Sequence, residues 1–253
     1  MDDDELAVEE IEINLRAPRE VAARVVVLAA VSRRAFLEQE AEHGTAGDDA
    51  AGERFDLVAW LEAEGLADAV SPSERRLLAA PLGQLGRETA DEASWAAEAL
   101  VALGWALNLV PSIPPYDAPA DPSALLESVP APWDKTAIFL ALDKLRPEPE
   151  IAVERDEAEL WHWRAELAAA LPNAAEPERA ELARAVREVT QDAAAAGLIP
   201  PPIDADFPVR GRPYGAIPDD ERAILADIAT QRLHALNWLC GFGSDWDDVP
   251  LEV

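Results

Sequence analysis

Between Ala93 and Tyr116 the chain carries a single charged residue, Glu98. A helix that is apolar on nearly every face must be covered on nearly every face. The helix predicted here, Asp91 to Leu109, therefore belongs at the centre of a fold built from other helices. A lone carboxylate in such a place needs a partner, because an isolated buried charge is too costly for a marginally stable protein. The mirror problem recurs near the C-terminus. At 100° per residue along the last helix, Leu225, Ile228, Ala229, Ala235, Leu236 and Leu239 share one face, and Arg232 lies near its middle. Glu98 and Arg232 are therefore expected to pair inside the core, as an architectural ion pair rather than a catalytic one.

The punctuation elsewhere is that of an all-α protein, expected as one helical domain over 18–253 behind an acidic N-terminal tail, 1–17. Pro18 opens a first helix with Val21, Val25, Leu28 and Phe36 at helical spacing, and Gly44 closes it. Phe55, Val58, Trp60 and Leu61 mark a short second helix that Gly65 ends. Ser71-Pro72-Ser73-Glu74 combines a capping box with proline at the first helical position. Further helices are predicted over Trp133–Leu145 (stopped by Pro147 and Pro149), Asp156–Leu171, Pro177–Gly197, and from Pro218 to Gly241 or Gly243. Mobile loops are expected near 44–52, 111–132 and 198–217, with a short helix after Asp121-Pro122. Only Ile11–Leu15 alternates like a strand.

Fifty acidic residues against 21 Lys and Arg give a formal charge of −29. That sign disfavours a bare nucleic-acid backbone or an anionic membrane, and leaves either a basic protein partner or simply a well-solvated surface. Cys240 is the only cysteine, so neither an intrachain disulfide nor a cysteine-based zinc site is available. Met1-Asp-Asp-Asp-Glu5 is the reverse of a basic leader, and a cytoplasmic location is expected. No phosphate loop, dinucleotide fingerprint, H-E-x-x-H or nucleophile elbow is present. No catalytic residue, metal ligand or cofactor is assigned.

The residues with chemistry to offer form two sets. Glu98, Arg164 and Arg232 are candidates for a pocket or a structural ion pair. Trp161, His162, His234, Asn237 and Trp246 are expected to face outward. On the predicted Asp156–Leu171 helix, Leu160, Trp163, Leu167 and Leu171 make the core face with Arg164 at its edge, which sends Trp161 and His162 to solvent or a groove. His234 and Asn237 fall off the core face of the last helix, and Trp246 is expected to anchor the Ser244–Asp248 tail while its acids face water.

These blocks carry a resemblance. Ser94-Trp-Ala-Ala-Glu-Ala-Leu-Val-Ala-Leu-Gly-Trp-Ala-Leu107, Leu160-Trp-His-Trp-Arg164, and Gln231-Arg-Leu-His-Ala-Leu-Asn-Trp-Leu239 followed by Asp245-Trp-Asp-Asp-Val249 resemble the bacterial family known as domain of unknown function 4272. Glu98, Arg164, Arg232, Asn237 and Trp238 match that pattern. Trp95-Ala-Ala-Glu98 stands where Trp-Arg-Ala-Glu is frequent in the family. The resemblance implies a helical fold and no reaction. From the charge and the lack of a catalytic constellation, the expected role is a non-enzymatic interaction protein, an adaptor or inhibitor-like partner of a basic protein. The alternative is a small-molecule-binding or metal-dependent enzyme, its cleft lined by Glu98, Trp161, His162, Arg232, His234 and Asn237.

Overall fold

A computed structural model describes residues 12–252, so the acidic run at Met1–Glu5 and Ile11 of the strand-like segment lie outside the described residues. The fold is all-α and globular. Its helices are α1 (Pro18–Glu42), α2 (Ala50–Ala63), α3 (Pro72–Ala79), α4 (Arg87–Ser94), α5 (Ala96–Ala106), the single turn α6 (Ser123–Leu126), α7 (Glu148–Ala170), α8 (Glu176–Ala196) and α9 (Asp219–Leu239). α5 packs between α1 and α9, α9 packs on α7, and α2 and α8 lie outside α1 and α7 respectively. Ala99, Leu100, Ala102, Leu103 and Ala106 of α5 are wholly excluded from water. Each large aliphatic among them contributes about 1.5–3 kcal/mol of burial. No helix among the described residues is long and apolar enough to cross a membrane.

Several elements differ from expectation. The predicted Asp91–Leu109 helix is broken at Trp95. There the Ser94 hydroxyl donates to the Asp91 carbonyl at 2.6 Å, competing with the helical ladder and separating α4 from α5. The predicted Trp133–Leu145 helix is reduced to one 3-10 turn, Phe139–Ala141. Trp133 adopts φ 72°, Asp134 accepts from the Ala131 amide, and Glu64 takes both the amide and hydroxyl of Thr136, so side chains divert the backbone. Pro147 and Pro149 begin α7 rather than end its predecessor, proline being compatible with a first helical turn.

Segment 198–217, expected to be a loop without a period, contains the only strand pair among the described residues. β1 (Pro208–Val209) runs antiparallel to β2 (Arg212–Pro213), with Val209 opposite Arg212. Phe207, Val209 and Tyr214 from it are at most 1% exposed. Residues 12–17 form no named strand, yet the Asn14 and Arg16 amides donate to the Cys240 and Leu239 carbonyls at 3.0 Å, so this stretch covers the end of α9.

Candidate functional site

Arg232 of α9 and Glu98 of α5 meet in the core. Nε donates to Glu98 Oε2 at 2.9 Å; Nη2 lies equally close but off the line of its N–H bonds. Arg232 Nη1 donates to the Pro114 carbonyl and Glu98 Oε1 accepts the Ala120 amide at 2.7 Å, so the pair also holds the proline-rich 111–122 stretch. The guanidinium lies 4.6 Å over the Tyr116 ring, which stacks on Trp161 at 5.3 Å, and Phe207 meets Trp161 edge-on. Burial pushes the Tyr116 phenol well above its ordinary value, and its hydroxyl has no partner among the described residues. Glu154 of α7 borders this centre. Burial first, then the neighbouring Glu157, raise its carboxyl to about 7, against the pull of Arg232 and Arg146.

Trp161 is not outward-facing: it is 4% exposed. The face α7 buries runs Ile151, Arg155, Ala158, Trp161, Arg164, Ala165 and Ala168, while Leu160, Trp163 and Leu167 are half-buried. Its alanines let α7 approach α9 closely, which a count of leucines along the chain does not register. Arg164 makes a bidentate pair with Asp206, Nε to Oδ1 at 2.7 Å and Nη2 to Oδ2 at 2.8 Å, and stacks on Tyr214. His162 is half-buried, its Nδ1 3.2 Å from the Thr230 hydroxyl.

Asn237, also expected outside, is fully buried. It accepts from Arg155 Nε at 2.9 Å and donates to the Pro250 carbonyl at 2.9 Å, because the C-terminal stretch folds back over the last turn of α9. Glu98, Trp161, His162, Arg232, His234 and Asn237 therefore do not line one cleft: four are consumed in the core and the two histidines bind different neighbours. No group of three or more His, Cys, Asp or Glu among the described residues is placed to hold a metal ion.

Open space gathers instead around Trp246, which anchors the tail as expected. The indole packs edge-on against His234 at 4.5 Å and Trp238 at 5.5 Å, and Arg24 lies 4.6 Å over its ring. His234 Nε2 sits 2.9 Å from the Trp246 carbonyl, which can only accept, so Nδ1 carries the lone pair. Burial lowers the His234 pKa and favours that neutral form, with Arg24 acting the same way against the hydrogen bond to Trp246. Asp247 does not simply face water. It accepts from the Ser73 amide at 2.9 Å and hydroxyl at 2.6 Å, in the first turn of α3, and so clamps the tail to that helix.

Three cavities share Trp246. The largest, about 520 Å³, is lined by the apolar Leu28, Val31, Leu77 and Leu85, by the buried Glu74, and by Arg76, Glu92 and Gln231. A second, about 330 Å³, is lined by Arg16, Arg24, Trp238 and Trp246 with acids at its mouth. A shallower one reaches His234, Thr230 and Asp247.

A family model described as Domain of unknown function (DUF4272) matches residues 3–186. The chain belongs to this family. No curated protein and no solved structure matches it. The DUF4272 match takes in α1 to α7 and ends inside α8, so the Gln231–Leu239 and Asp245–Val249 blocks of the resemblance lie beyond the matched span, and the N-terminal helices lie within it. Glu98 and Arg164 fall inside it, while their partners Arg232 and Asp206 fall outside.

Sequence reasoning missed the buried cations of the DUF4272 core. Arg24, Arg34 and Arg155 are at most 2% exposed, and each finds a carboxylate: Glu74, Glu38 and Glu159. For Arg24 the signal was available, since it lies within the Val21–Val25–Leu28 stripe just as Arg232 lies within its own.

Proposed function

We propose that the protein is a non-enzymatic interaction protein of the cytoplasm that receives a basic segment of a partner protein in the larger Trp246 cleft. The reading rests on two acids at that cleft. Glu92 of α4 lines it, and Asp227 of α9, outside the lining, has its carboxyl raised by burial and then by repulsion from Glu92. Neither acid has a salt-bridge cation among the described residues, although the chain places carboxylates on all of its buried arginines. A Lys or Arg of a partner would relieve that repulsion. An adjacent aliphatic side chain would meet the apolar lining of Leu28, Val31, Leu77 and Leu85. The formal charge of −29 supports the same sign of partner and speeds its encounter at low salt.

The test is fluorescence anisotropy with labelled 12-residue peptides in which leucine alternates with either arginine or glutamate. Binding of the arginine peptide that weakens steeply with salt is expected, with at least a fivefold loss in a Glu92→Gln/Asp227→Asn variant. Equal affinity for both peptides, or indifference to the double substitution, would overturn the reading.

A further inference from the structure

We propose that the second cavity, lined by Trp238 and Trp246, is a binding site for a free α-amino acid, distinct from the partner cleft with which it shares Trp246. Two cations are fixed in its wall. Arg16 donates Nε to the Trp238 carbonyl and Nη2 to the Gly243 carbonyl, both at 2.8 Å, and lies 4.6 Å over the Trp238 ring. Its guanidinium is thus immobilised by neutral groups and, among the described residues, faces no carboxylate within salt-bridge distance.

Arg24 is the second. It is 2% exposed, and its one side-chain hydrogen bond among the described residues runs from Nη2 to Glu74 Oε2 at 2.6 Å; Nε has no partner. Nε is thus a buried donor left unmatched, which is costly, and Nη1 makes no hydrogen bond among the described residues. A carboxylate between Arg16 and Arg24 would supply acceptors to both, in the forked geometry that guanidinium groups favour.

A simple anion would still be a poor fit, because Glu20, Asp68 and Asp245 also line the cavity. The wall therefore presents two cations and three anions around a space of about 330 Å³. A molecule carrying a carboxylate and an ammonium a few ångströms apart complements both sets at once. The indoles of Trp238 and Trp246, with Val70, give its side chain an apolar surface. The volume suits one amino acid with a medium or large side chain.

Isothermal titration calorimetry of the full chain with each of the twenty free amino acids tests the assignment. For the tightest binder, the N-acetylated derivative and the corresponding decarboxylated amine are each expected to bind at least tenfold more weakly. Arg16→Gln should cost at least tenfold in affinity for the amino acid. Arg16 also holds the tail, so a second variant avoids any failure of folding: Asp68→Asn/Asp245→Asn, at two exposed positions, should weaken the amino acid at least fivefold and leave the N-acetylated derivative unaffected. Absence of binding by all twenty at millimolar concentration would overturn the proposal. Equal binding of the decarboxylated amine, or full affinity in the Asp68/Asp245 variant, would do the same.

Discussion

Arg232 and Glu98, 134 positions apart in sequence, meet at 2.9 Å with both side chains excluded from water, and each also holds a backbone group of the 111–122 stretch. Removing one partner leaves an uncompensated charge in the core. Arg232→Met or Glu98→Leu alone should each destabilise by about 3–5 kcal/mol. The double variant should lose clearly less than the sum, because no charge is left behind. It should still fall short of the parent, since the Pro114 carbonyl and Ala120 amide lose their partners, at about 1–3 kcal/mol each. Urea denaturation of the four proteins measures the coupling, and strictly additive losses would show that the two charges do not sense each other.

Asp206 should behave as a second such anchor, with a pH signature. Burial alone would raise its carboxyl. The two hydrogen bonds from Arg164, with the Gly215 and Phe207 amides at 2.8 Å, outweigh burial and hold it below the ordinary range. The stability it confers is fully present above the unfolded value of about 3.9 and is lost as pH falls through the lower folded value. Asp206→Asn should therefore cost on the order of 3 kcal/mol at pH 7. The gap between variant and parent should begin to narrow below about pH 4 and close as pH falls through the lower folded value. Thermal unfolding at pH 7, 5 and 3 reads it, and a gap that does not change with pH would contradict the assignment.

The two anchors differ in how legible they were. Arg232 stands out because its aliphatic neighbours on α9 fix a stripe and it interrupts that stripe. Asp206 sits in a segment without periodicity, and nothing local marks it as the acceptor of four hydrogen bonds. Trp161 was misplaced because α7 offers two apolar stripes. The leucine stripe is the more hydrophobic, but the alanine stripe is the one that fits against α9. Asn237 was misplaced for a non-local reason: segments 12–17 and 242–250 cover a face of α9 that its own pattern leaves polar. Helix starts were readable where capping chemistry is local, as at Ser71 and Pro218. They were lost where side chains from elsewhere redirect the backbone, as Glu64 does at Thr136.

That covering of α9 depends on Gly241. Its φ is +90°, and a β-carbon there would stand 2.5 Å from the Asn14 carbonyl oxygen, which itself belongs to the covering segment. Gly241→Ala combines backbone strain with a clash against main chain that cannot rotate away. A loss of about 2–3 kcal/mol is expected. Hydrogen exchange should localise the damage, with the Asn14 and Arg16 amides exchanging faster than in the parent while α5 amides keep their relative protection. A variant as stable as the parent would mean that residues 12–17 do not seat on the end of α9 as described.

Glu154 should make the opposite contribution from Asp206. Its carboxyl is raised to about 7, by burial and by Glu157, so the folded protein holds a proton that the unfolded chain releases near 4.3. Below the unfolded value both states are protonated and nothing is lost. As pH rises toward and through 7, ionisation favours the unfolded chain and stability declines. Glu154→Gln removes that cost. It also removes an attraction to Arg232, but the raised pKa shows that burial and Glu157 outweigh it. The variant should therefore match the parent near pH 4 and exceed it by roughly 1–3 kcal/mol at pH 8. Urea midpoints at pH 4, 6 and 8 decide the matter. A Glu154→Gln variant less stable than the parent at pH 8, or one whose decline between pH 5 and 8 is as steep, would mean that Glu154 is solvated and that its side chain does not border the Arg232 centre.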